Sequence, residues 1–157
     1  MKNQVSAFAN ETKGNGHVVL VSTDWTTVPN DTAVCGFDGG FECAYALNGE
    51  AFTMGSGVSS YTIVKPNALN DGEPATKEIV CGHNDEAWSA YDPQYRYLAR
   101  HDLARLLVFA VLHPEKTSGL RFDVTALAQG GTPTVDVSEV FQCAMFSWDP
   151  RKKRGGL

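Results

Sequence analysis

Thr32-Ala-Val-Cys35-Gly-Phe-Asp-Gly-Gly-Phe41-Glu-Cys43-Ala-Tyr45-Ala-Leu47-Asn48-Gly49-Glu50-Ala-Phe52-Thr-Met54-Gly55 carries the clearest local structural signals in the chain. Asn48-Gly49 tolerates positive φ at both positions, the strongest short hairpin signal a sequence offers, and it lies between Phe41–Leu47 and Glu50–Met54. Counting outward pairs Leu47 with Glu50, Ala46 with Ala51, Tyr45 with Phe52 and Ala44 with Thr53, so that Tyr45 and Phe52 form an aromatic cross-strand contact. An Asp38-Gly39-Gly40 loop just before it sets Phe37 opposite Phe41 and Cys35 opposite Cys43. The two hairpins predict a three-strand meander. It makes Cys35 and Cys43 neighbours and candidates for a disulfide; buried, reduced thiols are the other reading.

Outward from the meander, short β-branched and aromatic runs bounded by Gly, Pro and Asn predict strands at His17–Thr23, Ser60–Lys65, Lys77–Gly82, Arg105–His113, Leu120–Leu127 and Glu139–Trp148. Asp92-Pro93 reads as a helix start, and Tyr95, Leu98, Ala99, Leu103, Leu106 and Leu107 approximate one helical face. Leu107–Leu112 followed by His113-Pro114 reads better as a buried strand, so the segment resolves as a short helix or turn, then a strand. The expected fold is mainly β: a single-domain antiparallel β-sandwich, jelly-roll-like, with at most one short helix near 93–104. The sandwich spans residues 1–150 and a basic tail spans 151–157.

Leu120-Arg-Phe-Asp-Val-Thr-Ala-Leu127, followed by Ala-Gln-Gly-Gly131, resembles the Φ-x-F-D-V-T-x-L segment of jelly-roll modules attached to cell-wall proteins and glycoside hydrolases. The resemblance covers about a dozen residues. It implies a structural strand in a fold that often binds carbohydrate, and it carries over no site residue.

A chain of 157 residues with 43% apolar and 20% charged side chains is long enough for one cored domain and is neither a disordered polymer nor a membrane protein. The apolar run Leu106–Leu112 is too short to span a bilayer, and the first residues lack the apolar core of a secretory signal. Location in a virion or in the cytoplasm is therefore expected. The net charge of −5 argues against nucleic-acid binding by the body of the domain. Arg151, Lys152, Lys153 and Arg154 form a tail suited to docking on a neighbouring acidic subunit or to weak contact with a polyanion; a merely solvated terminus is the plainer reading.

Chemical motifs are sparse. Cys81-Gly-His83-Asn-Asp85-Glu86 holds a thiol, an imidazole and two carboxylates, yet any strand ending in a polar turn gives the same juxtaposition. His101, Asp102 and His113 with Asp85 or Glu86 offer ligand types for a metal, but no spacing selects one, and Cys143 like Cys81 reads as core. No P-loop or Gly-x-Ser-x-Gly motif is present, and Gly36, Gly39 and Gly40 miss the dinucleotide spacing. No cofactor or metal is therefore expected. Trp88, Tyr91, Tyr95 and Tyr97 with Arg96 are the best binding cluster, with side chains suited to a glycan platform, a protein interface or simple core packing. The sequence alone thus predicts a non-enzymatic structural subunit of a larger assembly. A virus or phage particle protein (capsid, decoration or tail component) fits best, contacting copies of itself or other subunits through its termini. The alternative is a carbohydrate-binding β-sandwich using Trp88, Tyr91, Tyr95 and Tyr97.

Overall fold

His17–Val21, Ser60–Pro66 and Leu120–Leu127 form strands where the β-branched runs predict them, but the three lie parallel and side by side. The computed structural model describes residues 2–27, 35, 41–85 and 95–146. In chain order these form α1 (Lys2–Glu11), β1 (His17–Val21), α2 (Glu42–Met54), β2 (Ser60–Pro66), β3 (Leu69–Asn70), β4 (Ile79–Gly82), β5 (Tyr95–Arg96), β6 (Leu98–Ala99), α3 (Arg100–Leu112), α4 (Pro114–Thr117), β7 (Leu120–Leu127) and α5 (Ser138–Phe146). The main sheet runs β1-β2-β7-β4, with β4 and β5 antiparallel to β7, and β3 and β6 form a separate parallel pair. Parallel neighbours need a crossover of a dozen or more residues, and α2 and α3 lie in those crossovers. This is a Rossmann-like α/β fold with a mixed sheet and, among the described residues, five helices, not an antiparallel sandwich.

The correction turns on three segments. The predicted Asn48-Gly49 hairpin is the middle of α2, whose face Cys43, Glu50 and Thr53 is buried against the sheet. Glycine costs a helix about 1 kcal/mol, and this cost is offset by what α2 buries. Predicted strand Arg105–His113 belongs to α3, which buries Leu103, Leu106 and Ala110 at spacings of three and four residues and leaves Val108, Val111 and Leu112 57%, 60% and 66% exposed. Its apolar run satisfied a strand's composition, while the burial follows a helix's period. The short helix expected near 93–104 accordingly begins at Arg100, after the β5 and β6 strands. Predicted strand Glu139–Trp148 is α5 as far as Phe146. It buries Val140, Phe141 and Ala144 and starts where Asp136 Oδ1 accepts the Ser138 N–H at 2.8 Å.

The helix reading of α3 has a direct test. Residues 106 and 108 would share a face in a strand, so both would respond alike to truncation. In the helix, Leu106→Ala is expected to cost about 2–5 kcal/mol in urea unfolding and Val108→Ala less than about 0.5 kcal/mol.

The two faces of the sheet differ in chemistry. In register, Val21, Val64 and Phe122 align, and the row beside them is Leu20, Ile63 and Arg121. The first face is dry: Val64, Phe122, Val124 and Ala126 pack with Leu103, Leu106 and Ala110 of α3 and Val140, Phe141 and Ala144 of α5. Phe141 stacks on Phe109 and meets Phe122 edge-on, with ring centroids 5.1 and 5.5 Å apart. The other face carries Lys65, Arg121, Asp123 and Thr125, and α2 contributes Glu50 and Thr53 beside it; all but the half-buried Arg121 are buried. No helix among the described residues is long and apolar enough to cross a membrane.

Candidate active site

Lys65, the next-to-last residue of β2, is fully buried and lies directly across from Asp123 in register. Its Nζ lies 2.7 Å from Asp123 Oδ1, an ion pair without hydrogen-bond alignment, and donates to Asp85 Oδ1 at 2.9 Å. The Asp85 N–H donates to Asp123 Oδ2 at 2.8 Å, so the turn after β4 is pinned onto β7. Asp85 Oδ2 in turn accepts from the Thr27 backbone N–H at 2.8 Å and from the Thr27 hydroxyl. Asp85 holds a positive φ of 58°, which such side-chain anchoring supports.

Asp24 completes the group at the carboxyl end of β1. It is buried, and its Oδ1 accepts a 3.2 Å hydrogen bond from Thr23 while its Oδ2 has no partner among the described residues. Burial, with the negative charges of Asp85 and Asp123 adding to it, pushes its carboxyl up to about 7. Asp123 is also raised, by burial first and by Asp85 next, against the opposing pull of Lys65. Asp85 is buried too, but the Thr27 and Lys65 hydrogen bonds hold it below the ordinary carboxylate value. One ammonium thus stands among three carboxylates, and Asp24 is the one whose proton the site retains near neutrality.

Beside it lies a second network. Arg121 Nε donates to Glu50 Oε2 at 2.7 Å and its Nη2 to Thr26 Oγ1 at 2.9 Å, while Glu50 Oε1 accepts from the Ser22 hydroxyl. The Arg121 carbonyl faces His83 Nδ1 at 3.1 Å, a contact that places the imidazole proton on Nδ1. Burial lowers the His83 pKa and keeps the ring neutral. Ser22, Asp24, Lys65 and Asp85 thus gather around the carboxyl ends of β1 and β2, where open α/β sheets hold their ligands.

The residues singled out from the sequence fall elsewhere. Trp88, Tyr91 and the tail Arg151, Lys152, Lys153 and Arg154 lie outside the described residues. Tyr95 and Arg96 form β5, whose backbone pairs with Leu127 and Ala126, and Tyr97 is exposed. The structure joins Cys35 to Cys43 with a disulfide, their Cα atoms 5.6 Å apart, with Cys43 in the first turn of α2 rather than across a hairpin. Cys81 and Cys143, read as separate core thiols, form a second disulfide that ties β4 to α5 and leaves Cys81 no free thiol for His83. Asp102 pairs with Arg105 and caps the Ala75 N–H rather than joining His101, and His113 sits 3.3 Å from Glu115. Among the described residues no three His, Cys, Asp or Glu side chains converge to hold a metal ion.

Ser22, Asp24, Glu50, Lys65, Arg121 and Asp123 were missed. The strict alternation of Leu120-Arg-Phe-Asp-Val-Thr-Ala126 marked one of these rows, but in a sandwich the polar face of a strand meets solvent. Here α2 and the turn after β4 cover it.

The arrangement defines a Rossmann-like α/β protein, and three solved structures share it. A Bacillus halodurans protein assigned to the NAD-dependent epimerases/dehydratases matches at TM-score 0.66 and 21% identity, over 90% of this chain and 57% of that one. An oxidoreductase from Lactococcus lactis matches at TM-score 0.61 and 19% identity, over 92% and 58%. A Rossmann-fold NAD(P)-binding family protein from Shigella flexneri matches at TM-score 0.50 and 18% identity, over 83% and 55%. At these identities the likeness concerns the fold, and the chain spans a little over half the length of each neighbour. No family model matches the chain. The likeness overturns the expectation of a non-enzymatic virion subunit and its carbohydrate-binding alternative, because both rested on a β-sandwich. The structures sharing this fold are named as epimerase/dehydratase, oxidoreductase and NAD(P)-binding proteins, which also removes the ground for excluding an enzyme.

Proposed function

We propose that this chain supplies the hydroxyl-binding, proton-handling side of the active site of a nicotinamide-dinucleotide-linked oxidoreductase or epimerase/dehydratase. The observation that carries the reading is the buried Asp24 at the end of β1, with Oδ2 unpartnered and its carboxyl raised to about 7. An orphaned buried acceptor calls for a donor, and a carboxyl titrating near neutrality both accepts and returns a proton there. In this reading the ionised Asp24 accepts the proton of a ligand hydroxyl and is itself neutralised, while Lys65 balances the charge of Asp85 and Asp123. Ser22, fixed by Glu50, orients the ligand from the same strand end.

The fit to a whole dinucleotide is only partial. The carboxylates suit the hydroxyls of a ribose. They do not suit a pyrophosphate, because α2, α3 and α5 each open with an acid in the first turn: Glu42, Asp102 and Glu139. The positive-φ glycines Gly14, Gly57 and Gly119 precede β1, β2 and β7, at the opposite end of the sheet. Gly130 and Gly131 follow β7, but Gly131 lies against the carboxylate of Glu78, and both come well before α5 begins.

Nicotinamide riboside, which has the ribose and lacks the pyrophosphate, is the appropriate probe. Added at millimolar concentration, it is expected to shift the amide resonances of Ser22–Thr27 and His83–Asp85, with an affinity that changes between pH 6 and pH 8. In Asp24→Asn the pH dependence should vanish. Shifts absent from these strand ends would withdraw the reading.

A further inference from the structure

The four cysteines form two disulfides that differ sharply in access. Cys35 and Cys43 are only 3% and 4% exposed, whereas Cys143 is exposed and Cys81 half-buried. We infer that the Cys81–Cys143 disulfide is a thiol-exchange site, opened by attack at the Cys143 sulfur, and that the cavity beside it takes a small thiol carrying an ammonium group.

Access selects the disulfide and the sulfur. Exchange requires a thiolate to reach one sulfur of the pair, and its rate depends on which sulfur can be reached. Cys143 stands in the last turn of α5 and meets solvent, while Cys81 belongs to β4 in the sheet. Both line a cavity of about 370 Å³ bounded by β4, residues 132–134 and α5. Three hydrogen bonds hold its wall in place. The Thr132 N–H donates to Glu78 Oε2 at 3.1 Å, the Thr134 N–H to the Lys77 carbonyl at 3.0 Å, and the Ile79 N–H to Thr134 Oγ1 at 2.8 Å. The space for a second thiol is therefore built into the fold.

Charge selects the thiol. Glu78 and Glu139 line this cavity, and no lysine, arginine or histidine does. Neither carboxylate forms an ion pair among the described residues. An attacking thiolate adds a further negative charge to this field, which repels a plain thiolate and repels a carboxylate-bearing one more strongly. An ammonium on the same small molecule reverses the sign of that interaction.

The step balances with the thiol as the only co-reactant. Its proton goes to solvent and its sulfur bonds to that of Cys143. The Cys81–Cys143 bond breaks, and the electron pair leaves with Cys81, which takes a proton from solvent. A second thiolate then attacks the bound thiol's sulfur, forming the small disulfide and releasing Cys143. Two thiols are oxidised to one disulfide, and two cysteines are reduced.

The test treats the oxidised protein with cysteamine, mercaptoethanol or mercaptoacetate at matched thiolate concentrations. Each rate is divided by that of the same thiol on a neutral small disulfide, which removes intrinsic nucleophilicity. Quenching with iodoacetamide and mapping the peptides by mass should find cysteamine on Cys143, alkylation on Cys81, and neither on Cys35 or Cys43. Normalised rates should favour cysteamine over mercaptoacetate at least about tenfold at low ionic strength, and that margin should shrink several-fold in about 0.5 M salt. Glu78→Gln with Glu139→Gln keeps an acceptor for the Thr132 N–H, and should remove most of the preference while exchange with mercaptoethanol persists. The salt dependence of the native protein tests the charge without any variant.

Cysteamine found on Cys81, or all four cysteines labelled together, would overturn the inference, as would Cys81 and Cys143 alkylated before any thiol is added. Equal normalised rates for the three thiols, or a preference that ignores salt, overturn it equally.

Discussion

Lys65→Met is expected to cost the fold about 3–5 kcal/mol at pH 8 and much less at pH 5, because breaking a buried ion pair strands the partner charge rather than merely forfeiting an attraction. The ammonium is fully buried, 2.9 Å from Asp85 and 2.7 Å from Asp123, whose side chains are 3% and 0% exposed. Methionine keeps most of the stem's packing, so the change reads the charge. Without it, burial and mutual repulsion raise both carboxyls in the folded state. A carboxyl raised in the folded state binds its proton more tightly there than in the unfolded chain, so stability is lost as pH rises through the window above the ordinary value of 3.8. Urea unfolding at the two pH values measures it. Equal losses at both would show that the stem matters and the charge does not.

In the sequence this ammonium carries no signal of its own. Lys65 closes Thr62-Ile-Val-Lys-Pro66, where a terminal lysine reads as a solvated strand end, and Arg121 and Asp123 occupy alternate positions of β7 as they would on the wet face of a sandwich. The strands themselves were legible: β1, β4 and β7 fall within runs marked by β-branched residues, and β2 overruns its run only at Pro66. Which way they run was not, since alternation sets the face of a strand and says nothing of its neighbour's direction. Partners come from far away along the chain, with Glu50 71 residues before Arg121 and Asp85 38 before Asp123.

The helices were legible in part and outweighed. Glu42-Cys-Ala-Tyr-Ala-Leu47 and Glu50-Ala-Phe are rich in helix formers, and Asp136 precedes Ser138 and Glu139 as a helix start would. A two-residue turn signal at Asn48-Gly49 prevailed over a dozen residues of helix propensity. The site depended on that choice: as a hairpin residue Glu50 pairs with Leu47, and only as a helix residue does it reach Arg121 and Ser22.

Asp24→Asn is expected to make the protein more stable than the native sequence by up to about 4 kcal/mol at pH 8 and by a smaller margin, about 1.5 kcal/mol, at pH 5. The native carboxyl sits at about 7 when folded, against 3.8 for the ordinary group, chiefly because it is buried. Between those values the folded state holds a proton that the unfolded state has released, so stability falls by about 1.4 kcal/mol per pH unit and levels off above about 7. His83 opposes this below its ordinary 6.5, because burial lowers its pKa and the unfolded chain there binds the extra proton. Asp123, raised as Asp24 is, adds to the fall. The variant should therefore lose most but not all of the downward slope between pH 5 and pH 7.5. Asparagine mimics the protonated acid in shape and keeps the acceptor for Thr23, so near pH 5 the two folded proteins present almost the same group and the remaining difference in stability reflects the proton that the unfolded native chain has released. Unfolding curves that run parallel across the range would show that Asp24 is ionised throughout, and would remove it as the proton carrier. A residue that costs stability at the pH where the chain works is retained for a reason other than stability, and a carboxyl able to exchange its proton beside an orphaned acceptor atom supplies one.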